Sequence, residues 1–331
     1  MNKRVSNDAD SRMRTLVLIG VLLLLALIFP MVSNPRVMNF AILGLVGAIL
    51  TLGLNICFGY CGQINFGSGG FFAIGGYCIA LLEEYLHTPF VFNLLAAAIF
   101  GGVITLLMSM FLVRLRGHSL ALGTFAFSLA IYTSVAKGFK SFTGGEDGIR
   151  LAPLVLWHET TASDTFYYYL IVAVLAACCW LSWTLRRSRV GRAMLEIAQN
   201  EVAAASFGVD INKYLRLALV LNGVIGAVAG GIFVKWAGWI SPEYFNIMSN
   251  FTPVLSLVVG GVGNIAGAVV GGIFIHILPT LMIGLAEFST LIYGVILCVF
   301  LLFLPRGIIG ELQQRYYNRG IIRNVNKVAG E

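Results

Sequence analysis

Long apolar stretches recur along the chain and are separated by short polar or glycine-rich segments. A helix needs about 20 apolar residues to cross the hydrocarbon core of a membrane, or somewhat fewer where it is broken and buried in protein. On this criterion the hydropathy pattern predicts about ten transmembrane helices, some of them short or broken. The predicted spans are 16–32, 38–58, 65–82, 90–113, 119–136, 166–185, 214–236, 249–262, 264–285 and 287–304.

The basic residues support this set of spans. With the amino terminus inside, 17 of the 22 Lys and Arg residues fall on the cytoplasmic side and five on the outer side, as the positive-inside rule requires. The pattern therefore predicts a multi-pass protein of a bacterial inner membrane with both termini cytoplasmic. Residues 1–15 form the amino-terminal tail, and 305–331 form a basic carboxyl-terminal tail.

Composition indicates the same class of protein. The chain is 58% hydrophobic and 11% charged, whereas a soluble domain carries about 25% charged residues. We therefore expect an all-α, polytopic helical bundle over 16–304. It includes two polar segments, a periplasmic loop at 137–165 and a cytoplasmic loop at 186–213. The net charge of +7 reflects topology, because the basic residues form no aromatic-interleaved patch for nucleic acid.

Candidate chemistry is sparse. No phosphate-binding loop of the G-x-x-x-x-G-K-[ST] type is present, and we expect no cofactor in this chain. All 15 acidic residues map to loops or span ends, which disfavours an ion-coupled carrier. His276 is the one histidine in an apolar span, and we expect it to pack or cap rather than to bind a ligand. The clustered His, Asp or Cys residues typical of a membrane enzyme are lacking. Energy for transport is therefore expected from a separate ATPase.

Two glycine-rich segments are candidates for a substrate pathway. The first, at 59–70, interrupts two spans, and broken backbone at membrane depth lines a cavity or is buried in protein. Its amides Gln63 and Asn65 suit a zwitterionic or amide solute; the alternative is a tight packing turn at the inner surface. The second, at 143–149 in the outer loop, forms either a backbone nest that closes over a solute or an ordinary turn.

The sequence of the cytoplasmic loop predicts a short amphipathic helix that begins at Arg192 and ends at Gly208. Met194, Leu195 and Ile197 offer apolar contacts to a partner, while its charged residues stay in water. Because these charges are mixed in sign, docking on a protein is favoured over docking on a lipid surface.

Several ordered blocks carry a family resemblance. They are GLNICFGYCGQINFGSGGFFAIGGY (Gly53 to Tyr77), LRGHSLALGTFAF (Leu115 to Phe127), TGGEDGI (Thr143 to Ile149), VGRAMLEIAQNEVAAASFGVD (Val190 to Asp210) and LSLVVGGVGNIAGAVVGG (Leu255 to Gly272). Over nearly its full length the chain resembles the permease subunits of branched-chain amino-acid ABC importers. Ser68 and His118 depart from the residues that this family often has, so related permeases for urea, short amides or other amino acids remain alternatives.

The resemblance implies an importer for branched-chain amino acids with a second homologous permease, two cytoplasmic ABC ATPases that bind the ATP, and a periplasmic solute-binding protein. It also implies that the cytoplasmic loop is the coupling helix. The predicted ATPase-coupling residues are Arg192, Glu196, Asn200, Glu201, Ala203, Ala204 and Gly208. The predicted pathway residues are Gly62, Gln63, Asn65, Gly67, Thr143, Gly144 and Gly145.

Overall fold

Helices occupy most of the chain that the computed structural model describes, which comprises residues 29–30, 34–154, 163–281, 294–295 and 307–311. The predicted span 16–32, the predicted span 287–304 and both predicted tails lie almost entirely outside the described residues. The helices are α1 (Pro35–Leu54), α2 (Ser68–Leu86), α3 (Phe90–Leu112), α4 (His118–Thr133), α5 (Lys140–Thr143), α6 (Asp164–Arg187), α7 (Arg189–Gln199), α8 (Glu201–Ser206), α9 (Ile211–Ala237), α10 (Ile247–Gly260) and α11 (Ile265–Leu281).

The helices confirm the all-α polytopic class. Five stretches are long and apolar enough to cross a membrane, and α10 and α11 are shorter apolar helices. With α2, they account for eight of the ten predicted spans. Two of the five long stretches continue an α-helix into a π-helical turn, at Asn55–Tyr60 after α1 and at Ser134–Gly138 after α4.

Polar residues fix where several helices begin. Ser163 accepts a hydrogen bond from the Phe166 amide at the start of α6, and Asp210 accepts one from the Lys213 amide at the start of α9. Such caps satisfy amides that have no partner within the helix. α1 begins instead with Pro35, because proline is pre-organised for the first helical turn.

Small residues hold the centre of the bundle together. α9 packs against α2, where a Cβ on Gly75 would lie 1.8 Å from the carbonyl oxygen of Ala227 and a Cβ on Gly230 would lie 2.0 Å from that of Phe72. α11 also packs closely on α1, where a Cβ on Gly272 would lie 2.5 Å from the Ala48 Cα. Close backbone approach of this kind is how membrane helices gain van der Waals contact.

The segment predicted as the outer loop contributes one strand of a small sheet. β1 (Ile149–Arg150) pairs antiparallel with β2 (Trp239–Ile240), with Ile149 opposite Ile240. This pairing ties the outer loop to the end of α9 without changing the helical class of the protein.

Two predicted boundaries are corrected. α2 begins at Ser68 rather than at 65, because the Asn65 side chain accepts a hydrogen bond from the Gly67 amide at 2.7 Å and so forms a local turn before the helix. The cytoplasmic loop forms two helices, α7 and α8, rather than one. Asn200 leaves the helical conformation (φ −159°, ψ 104°) and its side chain caps α8, in keeping with the preference of Asn for caps over helix interiors.

Candidate functional site

The break between α1 and α2 is an irregular segment held by polar contacts. Gly62 adopts a left-handed conformation (φ 70°), and the chain then has no regular secondary structure up to Gly67. The Gly117 amide donates to Gln63 Oε1 at 3.2 Å, just before α4 begins. The Phe66 amide donates to Thr124 Oγ1 at 3.1 Å, within α4.

The break extends to the middle of the neighbouring candidate span, His118–Gly138. Gly69, in the first turn of α2, donates its amide to Asn250 Oδ1 at 3.0 Å, and the same oxygen accepts the Ser128 hydroxyl at 2.7 Å. Ser128 lies ten residues into the candidate span His118–Gly138, which is about 15 Å along a helix. α2 therefore begins half-way along that span, which favours broken backbone at membrane depth over a tight turn at the inner end.

The inner end of the break contacts the cytoplasmic loop. A Cβ on Gly62 would lie 3.1 Å from the Ala198 Cα in α7. Arg116, the neighbour of Gly117, pairs with Glu201 of α8 (Nε to Oε1, 2.6 Å) and donates to Asn212 of α9 at 2.6 Å. The pair is about one-third exposed, so it contributes little free energy. Its role is to position the loop, because Arg116 lies next to Gly117, whose amide donates to Gln63 of the break.

Most of the predicted coupling residues share one groove. Four of them line a cavity of about 550 Å³ on the cytoplasmic loop, together with Gln199 and Phe207; these four are Glu196, Asn200, Ala203 and Ala204. Glu201 turns instead to Arg116. Arg192 donates to the Arg187 carbonyl oxygen at 3.0 Å, and Gly208 follows α8 in a left-handed conformation (φ 80°).

Two of the three apolar contacts predicted for a partner are not available. Met194 is fully buried and Ile197 is 3% exposed, because both pack into this chain, whereas Leu195 is partly exposed. The exposed apolar side chains of the loop are Phe207 (86% exposed) and Val202 (78% exposed). Sequence reasoning missed them, although two large apolar residues in a polar, alanine-rich helix were a usable signal.

The second predicted pathway segment lies elsewhere. Thr143 donates its hydroxyl to the Val135 carbonyl oxygen at 2.7 Å, and it faces the second half of α2 across a cavity that Tyr77 and Tyr85 also line. Gly144 and Gly145 are left-handed and turn the chain back on Gly148. α2 has 19 residues, about 28 Å, so the structure does not unite 62–67 and 143–145 in one site.

A buried ion pair joins α2 to α9. Lys235 is 4% exposed, and its Nζ lies 2.5 Å from Glu83 Oε1 and 2.7 Å from the Ala152 carbonyl oxygen. The Tyr167 hydroxyl donates to the Lys235 carbonyl oxygen at 3.2 Å. The sequence placed both charges at span ends but did not indicate that they pair. Among the residues described, no group of three or more His, Cys, Asp or Glu could hold a metal ion.

The Gly62 contact leads to a test with a matched control. Gly62→Ala puts a side chain on a left-handed residue, costing about 1–2 kcal/mol, and also presses on Ala198. Gly238→Ala carries the same conformational cost (φ 68°), but its Cβ would meet nothing within 4 Å. We expect uptake per assembled complex to fall severalfold for Gly62→Ala alone, measured as initial rate normalised to membrane abundance. Equal rates for the two variants would contradict this.

Comparisons with known proteins identify relatives over most of the chain. The family model described as "Branched-chain amino acid transport system / permease component" matches residues 36–304. The "High-affinity branched-chain amino acid transport system permease protein LivM" of Escherichia coli (strain K12) is 27% identical over 312 residues, covering 87% of this chain and 73% of the relative. LivH of the same strain, which carries the same description, is 28% identical over 296 residues, covering 83% and 95%. The "Autoinducer 2 import system permease protein LsrC" of Enterobacter sp. (strain 638) is 29% identical over 108 residues, 31% of each chain.

Proposed function

This chain belongs to the family of branched-chain amino acid transport permease components, and from that premise we propose that it is the transmembrane permease subunit of an ATP-binding-cassette importer for branched-chain amino acids. The family and the apolar helices make it a multi-pass membrane transport protein. The amino-acid solute, the coupling to ATP and the composition of the complex are the parts that we propose.

One observation supports the coupling role most directly. The cytoplasmic loop presents a groove bordered by the exposed Phe207, and Val202 of the same loop is a second exposed apolar side chain. On the other side it packs against Gly62 and pairs with Arg116. A displacement of the loop would therefore be transmitted directly to the inner end of the break, through the Gly62 and Arg116 contacts. A chain that binds no nucleotide needs such a mechanical path to use ATP.

The assembly that we propose has several further components. A second homologous permease completes the membrane domain, in line with the likeness to both LivM and LivH. Two ABC ATPases bind the ATP and dock on the cytoplasmic loops, and a periplasmic binding protein delivers the solute. The distribution of basic residues supports both termini lying in the cytoplasm. No cofactor and no catalytic residue are assigned to the permease itself.

Two alternatives differ from this proposal, one in the transported solute and the other in the energy source. A related permease for urea or short amides would share the coupling loop but carry a different solute. An ion-coupled carrier would use ionisable groups in the membrane. Lys235 and Glu83 are the buried ionisable pair in the described part of the chain, and they neutralise each other at the end of a span, which favours a structural role.

Uptake by cells whose only leucine importer contains this chain distinguishes these alternatives. We expect accumulation of labelled leucine to stop when the phosphate-binding lysine of both partner ATPases is replaced, and to persist briefly after an uncoupler while ATP remains. Immediate collapse with the uncoupler and survival of the ATPase change would instead indicate an ion-coupled carrier. Uptake of urea but not leucine would indicate a different solute.

A further inference from the structure

A cavity of about 200 Å³ lies where the start of α2 meets α1, α9, α10 and α11. An engineered cavity of about 150 Å³ suffices for benzene, so this space accommodates a small organic molecule. The cavity is level with the break, because Ser68 and Gly69 of the first turn of α2 form part of its wall. Sequence reasoning did not find it, since its wall is assembled from five helices.

One end of the cavity suits an anionic group. The amino-terminal end of a helix carries a partial positive charge and unsatisfied amides. Ser68 is the first residue of α2, is 1% exposed, lines the cavity, and has a hydroxyl with no hydrogen-bond partner among the described residues. A buried hydroxyl without a partner is costly, and a carboxylate oxygen in the cavity would satisfy it.

A second polar group offers an acceptor. His276 of α11 lines the same cavity, and its Nδ1 lies 2.9 Å from the Gly272 carbonyl oxygen. A carbonyl oxygen only accepts, so Nδ1 donates, and a neutral ring then has Nε2 free as an acceptor. The hydroxyls of Ser249 and Thr252 are already donated to backbone carbonyls of α10 and its cap, leaving their lone pairs as further acceptors for an ammonium group.

The remaining wall is aliphatic and aromatic. Val46 and Leu50 of α1 and Phe72 of α2 are each at most 8% exposed and line the cavity. Among the described residues, no Asp, Glu, Lys or Arg lines the cavity, and a net charge would be costly to bury without a partner of opposite sign. The cavity therefore favours a solute without net charge that has a polar end and an apolar end.

We propose that this cavity is a binding site for an aliphatic amino acid in passage through the permease. The carboxylate faces Ser68 and the start of α2, the ammonium group faces His276, and the side chain packs on Val46 and Leu50. This inference rests on the proposed function and adds to it the place at which this chain itself selects the solute. It moves the centre of the pathway from Gln63 and Asn65, whose side-chain oxygens accept from Gly117 and Gly67, to the cavity beyond the break.

The first test removes the free hydroxyl. Ser68→Ala is expected to lower the rate of leucine uptake at limiting leucine roughly tenfold, as the loss of one hydrogen bond to a charged group predicts. The control is Ser256→Ala, one turn further along α10 from Thr252; its hydroxyl is fully buried, donates to the Thr252 carbonyl oxygen, and does not line the cavity. Membrane abundance and recovery of the ATPases are measured for both variants.

The second test changes the size of the apolar end. Val46→Ala enlarges the cavity and Val46→Leu fills it, so the leucine-to-valine uptake ratio should rise in the first and fall in the second. One methylene in an apolar pocket changes discrimination by roughly tenfold. Dividing each ratio by that of the parent cancels the preference of the binding protein. A purely structural effect would lower both rates and leave the ratio unchanged.

The outcomes separate this inference from the proposed function. A parent complex that imports leucine, with Ser68→Ala at the parental rate and the ratio unmoved in both Val46 variants, would overturn the cavity assignment and leave the proposed function standing. A parent that imports urea but no aliphatic amino acid would overturn both. Loss of uptake in Ser68→Ala with opposite ratio shifts at position 46 is the result that we expect.

Discussion

Phe207→Asp is expected to release the partner ATPases and abolish ATP-driven uptake while the permease still reaches the membrane. The Phe207 side chain is 86% exposed and borders the groove of the cytoplasmic loop, so it adds little to the stability of this chain. In the proposed complex it is buried against the ATPase, where an unpaired carboxylate costs several kcal/mol. Co-purification of the ATPases with the tagged permease measures the effect, and we expect recovery to fall at least tenfold.

Phe139→Asp is the matched control for Phe207→Asp. Phe139 is 60% exposed and lies near the start of the predicted outer loop, so the same change falls on the opposite side of the proposed membrane. ATPase recovery should remain at the parental level for this control. Ala204 is a poorer probe, because it is 3% exposed within the permease itself and a charge there would disturb the loop as well as the partner. Parental recovery with Phe207→Asp would contradict the docking role of the groove.

Glu83→Ala is expected to produce the largest loss of stability among single changes at the described charges. It removes the carboxylate from Lys235, whose Nζ then keeps the Ala152 carbonyl oxygen as its one remaining hydrogen-bond acceptor among the described residues. Breaking a buried ion pair costs about 3–5 kcal/mol, because the remaining charge is uncompensated. Glu83 is itself 17% exposed, so the lower end of this range applies. The midpoint of thermal unfolding of the purified complex should therefore be lower for Glu83→Ala than for the parent.

A double change supplies the control for the ion pair. Glu83→Leu combined with Lys235→Met removes both charges, and replacement of a buried pair by apolar residues is often close to neutral. The double variant should therefore be more stable than Glu83→Ala, with uptake close to that of the parent. A double variant as unstable as the single one would indicate that the shapes of these side chains matter rather than their charges. Loss of uptake with intact stability would favour an ion-coupling role for the pair.

Much of the fold follows from local signals in the sequence. Hydropathy located the eight described spans, because the bilayer fixes both the length and the apolar character of a crossing helix. Gly208 was predicted as the end of a helix and is left-handed in the structure, since glycine adopts this conformation without strain. These features depend on a few neighbouring residues, and for that reason sequence alone determines them.

Features that depend on distant partners could not be predicted. The break reaches the middle of the bundle because Thr124 and Asn250 accept hydrogen bonds from its amides, while Ser128 donates to the same Asn250 oxygen. Nothing in the 59–70 stretch indicates those partners. Similarly, the apolar face of α7 predicted contacts without indicating with what, and Met194 proves to be buried in this chain. The cavity at Ser68 required the same long-range information.

A reversible cross-link between the break and the cytoplasmic loop tests the central claim that the ATPase drives transport by shifting this loop against the inner end of the break. A Cβ on Gly62 would lie 3.3 Å from the Ala198 Cβ, close to the separation of about 3.5–4.5 Å that a disulfide needs. In a background without native cysteines, Gly62→Cys with Ala198→Cys should retain its ATPases, lose leucine uptake on oxidation and regain it with a reductant. Each single cysteine variant controls for the substitution itself. Full ATP-driven uptake by the cross-linked complex would contradict the claim, because the contact would then not need to move.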